Sequence, residues 1–374
     1  LPSTNLERFE LAPGERIDFA SSLFEPWRRG SVAASVTVSN SPLDPLPMLA
    51  SLQDYPWACS EQLTSRALPL LYLHLLAPGN ALPDAGEGAG EDAGAIDARA
   101  ARLAVAEIVE TLLARQAADG SFGLWRVGDG RATPWLGAYV VDFLARAHRA
   151  GIAVPEAALS RALDALEVIS QGQAWQLRAW DAQVVPWQGQ NDTTERLIER
   201  SAAYAHYVLA REGRADRSRL RYLHDDRLDD IRSPLARAHI GAALAFMGDS
   251  ARAASAFDAA EQTLGESYQW LAYQSPLRDL AGVLALAAEA SQQARLPRLV
   301  ERLESGLPDA ERMTTQEKAF ALLAARALVG DAAPLTIETG GDLKTQRAGD
   351  LRLDANGDGG YLINAGTAPV WVTR

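Results

Sequence analysis

The chain contains one thiol, Cys59, and three residues after it stands an amide, Gln62, within the stretch YPWACSEQLTSR (Tyr55 to Arg66). A lone cysteine is ordinarily a small buried hydrophobe, inert unless its surroundings favour the thiolate. The spacing offers a second reading. Positions three apart share one helical turn, so thiol and amide can meet without long-range help. Their condensation with loss of ammonia would close a thioester ring over Cys59, Ser60, Glu61 and Gln62, the acyl group coming from Gln62. A thiolate leaves far more readily than an amide nitrogen. The Gln62 carbonyl would then be an electrophile open to an amine or hydroxyl of another molecule, whose attack frees Cys59. A helix N-terminus here would help, because its dipole stabilises a departing thiolate. Cys59 and Gln62 are the candidate reactive residues, as leaving group and acyl donor. Glu61 lies between them, where a solvated first-turn carboxylate is the alternative to a part in the chemistry.

An activated ester needs shelter from water. Tyr55, Trp57, Trp125 and Trp135 are candidates for that shielding wall, with ordinary core packing as the alternative for each. Trp175, Trp180 and Trp187 crowd the stretch WQLRAWDAQVVPW, where core or interdomain packing is a commoner role than sugar binding. Metal sites are not indicated: His74, His148, His206, His224 and His239 show no HExxH or Cys/His spacing. The run DANGDGG (Asp354 to Gly360) opens like a calcium loop, but its twelfth position is Ala365 where a bidentate Glu is required, which leaves a hairpin turn. A rival from another class is a glycoside hydrolase, which needs paired carboxylates. Asp119, Asp142, Asp181 and Asp192 could be nominated, yet nothing singles out a pair, and DGSFG reads equally well as a turn around Gly120. A third possibility is a structural module whose Cys59 never condenses.

The elements that must position these residues fall into two textures. At 374 residues with 48% hydrophobic content, the chain can bury a sizeable core. Its net charge of −12 argues against nucleic acid and anionic lipid as partners. No run approaches the roughly twenty apolar residues of a membrane span. The opening LPSTNLERFE has no initiator Met and no signal-like pattern, so an excised or processed piece is expected. One cysteine leaves the redox compartment open. Apolar residues alternate in LERFELAPGERIDFASS and GSVAASVTVSNS, and again in PLTIETGG, DLRLDANGDGGYLINAG and APVWVTR, as in strands and turns. Between about 42 and 332 the spacing is helical and the composition rich in Ala, Leu, Arg and Glu. Ser233-Pro234 and Ser275-Pro276 each open a helix, with Ser as N-cap, the first closing near Gly248. Thr314-Thr-Gln-Glu317 is a capping box, with Gly330 as the stop. Ten to twelve short helices are predicted, many bulky on more than one side, which fits an α/α toroid of concentric hairpins. PDAGEGAGEDAGAID (Pro83 to Asp97) reads as a surface loop. The layout predicts a helical domain inserted between two halves of a β-domain whose end strands pair.

The segment YPWACSEQLTSR resembles the thioester segment of the α2-macroglobulin and complement superfamily, in which a Cys-x-Glu-Gln tetrapeptide forms this bond, and it is most similar to the bacterial α2-macroglobulins. Three further matches follow in order: RQAADGSFGLW (Arg115 to Trp125), PWLGAYVVDFLARA (Pro134 to Ala147) and TQEKAFALLAA (Thr315 to Ala325). The resemblance implies a mainly α fold with flanking β, an α/α-toroid thioester domain over 42–332 inserted in a CUB-like β-sandwich formed by 1–41 and 333–374. It implies a single-turnover protease trap, an endopeptidase inhibitor and not an enzyme, in which the Cys59–Gln62 thioester captures a protease lysine. No separate cofactor is implied, only the internal isoglutamyl cysteine thioester. Implied partners are target proteases, neighbouring macroglobulin domains and a peptidoglycan-synthesising penicillin-binding protein. The implied setting is the periplasm, with the full-length protein a lipoprotein anchored to the inner membrane. Ala58 and Ser60 stand where animal members usually have Gly. LWRVGDGRATPWL lacks the His that some complement members use to steer toward hydroxyls, so amines are the expected nucleophiles.

Overall fold

The computed structural model describes residues 7–20, 34–39, 43, 45–76, 98–173, 176–177, 194–265, 273–329, 336–347, 350–353 and 359–373. The stretch Pro83 to Asp97, the residues Trp175, Trp180, Trp187, Asp181, Asp192 and Gly330, and residues 354–358 of the acidic turn lie outside them. The chain divides into two compact units. One comprises Leu1–Ala50, Tyr72–Ala100 and Ala325–Arg374, the other Ser51–Leu71 and Ala101–Ala324.

The first unit holds the strands β1 (Arg8–Leu11), β2 (Arg16–Ala20), β3 (Ala34–Ser39), β4 (Ile337–Gly341), β5 (Leu343–Arg347), β6 (Asp350–Leu353), β7 (Gly359–Asn364) and β8 (Val370–Thr373). They form a five-stranded sheet in the order β1-β8-β3-β6-β5 and a three-stranded sheet in the order β2-β7-β4. Both sheets pair the beginning of the chain with its end, as the alternating patterns predict. Phe9 faces Val372 across β1 and β8, Thr37 faces Thr373 across β3 and β8, and Ile17 faces Leu362 across β2 and β7, all antiparallel. Alternation turns one side of each strand inward. Leu11, Val36, Val38, Val370 and Val372 of the larger sheet meet Phe19 and Leu362 of the smaller one in a single buried cluster, the arrangement of a β-sandwich. Asn364 locks the turn after β7. Its Nδ2 donates to the Leu11 and Ala368 carbonyls at 2.9 Å each, and its Oδ1 accepts from Gly366 N–H at 3.0 Å.

Thirteen helices lie among the described residues: α1 (Pro45–Gln53), α2 (Ser60–Leu70), α3 (Leu73–Leu76), α4 (Ala98–Leu113), α5 (Pro134–Arg149), α6 (Glu156–Ser170), α7 (Thr194–Arg211), α8 (Arg217–Asp225), α9 (Pro234–Phe246), α10 (Ser250–Gln262), α11 (Pro276–Glu289), α12 (Leu296–Gly306) and α13 (Thr315–Val329). The caps form where the sequence places them. Ser233 accepts from Ala236 N–H and Ser275 from Arg278 N–H, while Thr314 and Glu317 cap each other reciprocally. Burial sorts the helices of the second unit into two sets. α5, α9 and α11 are buried on almost every side, whereas α12 buries only Leu299 and Leu303. All-round burial is what a helix flanked on both faces requires. Contacts run α2 to α5, α5 to α7, α7 to α9 and α9 to α11, with α6 and α10 packed outside this series. The inner helices thus follow one another around a ring while their hairpin partners form an outer layer, as in an α/α toroid. Mainly α with flanking β is the fold class, and the helical unit interrupts the β-unit in sequence. No helix among the described residues is long and apolar enough to cross a membrane.

Candidate functional site

The candidate site lies in the second unit, at the start of α2. Cys59 is its N-cap, with extended backbone (φ −68°, ψ 165°), and Gln62 is the third helical residue. Ser, Thr, Asp and Asn are the favoured N-caps, so a Cys here is not selected by helix energetics. The pair forms a reciprocal capping box. Cys59 N–H donates to Gln62 Oε1 at 3.1 Å, and the Cys59 sulfur faces the Gln62 backbone N–H. The side-chain amide of Gln62 is thereby folded back over the residue that carries the thiol. Cys59 is 6% exposed. Burial pushes its thiol up to about 11, opposed by the Gln62 N–H and reinforced by the Glu61 carboxylate, with the Glu61 N–H and Arg115 also drawing it down. At neutral pH the sulfur therefore keeps its proton, the proton that leaving ammonia would take on condensation.

Ser60 fixes the first turn from the side. Its N–H donates to the Leu124 carbonyl at 2.9 Å, and its Oγ donates to the carbonyl of Gly123 at 2.7 Å. The partner loop is itself held open by Asp129, which accepts from the N–H groups of Leu124, Trp125, Arg126 and Arg131. These four donors hold the Asp129 carboxyl below the usual carboxylate range against the opposing effect of burial. Preceding this loop, Gly120 turns the chain at φ +83°, where an added Cβ would sit 1.9 Å from the Arg161 carbonyl oxygen. Only glycine fits there. Asp119 serves that turn, accepting from Ser121 N–H and Oγ.

Glu61 is 4% exposed and points away from the sulfur's cap, into the unit. Its carboxylate accepts from Ser65 Oγ at 2.7 Å, Gln316 Nε2 at 2.8 Å and Thr315 Oγ1 at 3.0 Å. The start of α13 is thereby tied to the start of α2, closing the ring of inner helices. Burial raises the Glu61 carboxyl above its usual range despite these donors. A solvated first-turn carboxylate was one expectation for Glu61, and the structure replaces it with a fully internal anchor.

The aromatic candidates separate. Trp57 is 62% exposed and Trp125 48%, Tyr55 is half-buried, and Trp135 is 2% exposed. Trp135 stacks on Tyr139, with ring centroids 5.3 Å apart, and packs against Tyr273 at 5.6 Å. Tyr139 meets Ser65 Oγ through its hydroxyl at 3.0 Å. Tyr273 adopts φ 54°, uncommon for a non-glycine residue. Burial pushes its phenol well up, and the proximity of Glu61 and Cys59 pushes it further. Trp135 therefore belongs to an aromatic cluster bordering the site through Tyr273 and Tyr139. Reasoning from sequence missed Tyr273, Arg115, Thr315 and Gln316 as neighbours of the thiol and its flanks. Arg115 and the Thr315–Gln316 pair stand inside matched segments, so a signal existed for them; a positive φ at a tyrosine has none. Asp142, nominated for a hydrolase, is locked in a buried network, 2.8 Å from Arg146 and 2.5 Å from Arg211, with Tyr204 donating to it. Among the described residues no group of three His, Cys, Asp or Glu could hold a metal ion.

Comparison with known proteins agrees with this fold. No family model matches the chain. Over 307 residues the chain is 30% identical to an alpha-2-macroglobulin of Xylella fastidiosa, covering 79% of this chain and 17% of that protein. A crystal structure of Salmonella alpha-2-macroglobulin reacted with methylamine superposes with a TM-score of 0.71 at 28% identity, over 99% of this chain and 23% of that one. Escherichia coli alpha-2-macroglobulin activated by porcine elastase gives 0.61 at 25% identity, over 99% of this chain and 32% of that one. The chain spans about a fifth of the length of the curated relatives it matches. With the strand pairing, the ring of helices and the Cys59–Gln62 cap all in place, the chain belongs to the bacterial alpha-2-macroglobulin family.

Proposed function

We propose that this chain is the thioester-bearing part of a bacterial protease trap, an endopeptidase inhibitor that works once, by covalent capture. The single observation that carries the reading is the reciprocal cap, in which Cys59 and Gln62 each hydrogen-bond to the other's backbone. In the condensation Cys59 Sγ bonds to the Gln62 side-chain carbonyl carbon, the C–N bond breaks, and the thiol proton leaves with ammonia. In the capture an amine nitrogen, as on a protease lysine, bonds to that carbon while the C–S bond breaks. The proton lost by the amine ends on Cys59. No second cofactor is needed, because the isoglutamyl cysteine ring is itself the reactive group. Amines are the preferred nucleophiles in this reading, since the loop LWRVGDGRATPWL offers no His to activate a hydroxyl. Trp135, Tyr273 and Tyr55 are proposed to shelter the bond, whereas Trp57 and Trp125 are too exposed in this structure to form part of that wall.

The relatives support the reading by their own chemistry. The Salmonella protein reacts with methylamine and the Escherichia coli protein is activated by elastase. Target proteases and adjoining macroglobulin domains are the proposed partners. The proposed setting is the periplasm, with the whole protein anchored to the inner membrane, which cell fractionation would test. Intact mass and thiol titration of fresh protein, before and after methylamine, test the chemistry. A mass short by one ammonia with no free thiol, then one thiol and one methylamine adduct at Gln62, is the expected result. A mass equal to the sequence value with Cys59 free throughout would leave a structural module, and activity independent of Cys59 would point to a hydrolase.

A further inference from the structure

The backbone on either side of Cys59 is gripped by one side chain from a distant part of the sequence. Arg115, two residues beyond the end of α4, donates through one terminal nitrogen to the Ala58 carbonyl at 2.9 Å. Through the other it donates to Ser60 Oγ and the Leu124 carbonyl, at 3.1 Å each. Ala58 and Ser60 are the two neighbours of Cys59, so a planar guanidinium brackets the thiol from both directions along the chain. Five N–H donors in a rigid fork suit this task, and a lysine ammonium could not reproduce the geometry.

The bracket matters because the sulfur is the leaving group. Reaction rates at positioned groups fall steeply with small displacements, by on the order of 100-fold for about 1 Å. The charges facing Cys59 come from several elements. Glu61 of α2 opposes an anion on sulfur, Arg115 favours one, Asp129 of the following loop partly offsets Arg115, and Tyr273 borders the site as a neutral phenol. Arg115 is the cation in this set, and its hydrogen bonds hold it beside the α2 N-terminus.

We propose that Arg115 is a positioning residue of the thioester reaction, fixing Cys59 at the helix N-terminus through Ala58 and Ser60 and keeping a positive charge beside the sulfur as it departs. The inference rests on the thioester reading above. In the capture step the C–S electron pair goes to sulfur as the amine nitrogen bonds to the Gln62 carbonyl carbon. Arg115 stabilises that pair until the amine's proton arrives, directly or through water.

The test uses the 374-residue chain as wild type, Arg115→Met and Arg115→Lys. Methylamine incorporation is followed by mass, and the freed Cys59 is titrated by NMR with 13Cβ-labelled cysteine, which gives one resonance because the chain has one Cys. Arg115→Met is expected to slow incorporation by on the order of 10- to 100-fold and to move the Cys59 titration midpoint upward. Arg115→Lys is expected to slow incorporation while bringing the midpoint back toward wild type. An Arg115→Met rate within about twofold of wild type, or an unmoved midpoint, overturns the proposal. Should the wild type carry no thioester, the reading of the preceding subsection fails visibly and the role proposed for Arg115 falls with it. A wild-type thioester with an unchanged Arg115→Met rate overturns the Arg115 proposal alone.

Discussion

Replacing Glu61 separates two roles that the structure gives it, an anchor for α13 and a buried charge. In Glu61→Ala, the donors Ser65 Oγ, Thr315 Oγ1 and Gln316 Nε2 lose the carboxylate that accepts from all three, although Gln316 Nε2 keeps Ser65 Oγ as an acceptor at 3.3 Å. Hydrogen bonds to a charged group contribute about 1.5–3 kcal/mol each, and a buried donor left unmade costs a similar amount. Two effects offset the sum. Ser65 keeps Tyr139 as a partner, and removing the carboxylate relieves the cost of burying it. The net loss expected is about 2–4 kcal/mol. Glu61→Gln keeps shape and one acceptor oxygen, so its loss is smaller and its pH dependence is the informative quantity. Burial raises the Glu61 carboxyl above its ordinary value of 4.5. A carboxyl raised in the folded state contributes stability that is complete below the unfolded value and is lost as pH rises through the folded one. Glutamine does not titrate and escapes that loss. The stability difference between Glu61→Gln and wild type should therefore move in favour of the variant as pH rises above 4.5. Urea unfolding of methylamine-treated protein, followed by tryptophan fluorescence at several pH values, measures both effects. A Glu61→Ala loss below about 1 kcal/mol, or a pH-independent difference for Glu61→Gln, refutes the reasoning.

Three other perturbations have outcomes set by the same rules. Asp142→Asn leaves Arg146 and Arg211 short of their shared buried carboxylate; breaking such a pair costs about 3–5 kcal/mol, read as a lower urea midpoint. Asn364→Ala removes three hydrogen bonds at the turn after β7; about 2–4 kcal/mol is expected, and faster amide exchange at Gly366 would report it. His206 is buried neutral, and burial lowers its titration from 6.5 to about 4. A depressed value means that stability present above 6.5 drains away as the pH falls through about 4. The contribution is on the order of 3 kcal/mol, and an acid titration of unfolding in wild type and His206→Gln would show the variant flatter across that window.

What the sequence discloses here follows the range of the forces involved. The helix openings at Ser233, Ser275 and Thr314 are legible because a cap and its donor lie three residues apart. The β-unit is legible for a related reason: period-two alternation marks strands wherever one face is buried. The order of strands, with β8 between β1 and β3, is not, because register across more than three hundred residues depends on the packed unit and leaves no local mark. The site divides in the same way. Cys59 and Gln62 interact within one turn, so their spacing raises the pairing and the resemblance of the surrounding segments singles it out. Glu61 was ambiguous because its partners, Thr315 and Gln316, are about 250 residues away and become neighbours only when α13 closes the ring of inner helices. Arg115 likewise reaches Ala58 across 57 residues. In the proposed thioester a local pair would supply the reactive bond, while the residues around it, Thr315, Gln316 and Arg115, are ones that only the closed ring brings together. The reactivity of Cys59 and Gln62 should therefore depend on the folding of the whole helical unit, and α13 should be as necessary to the chemistry as α2.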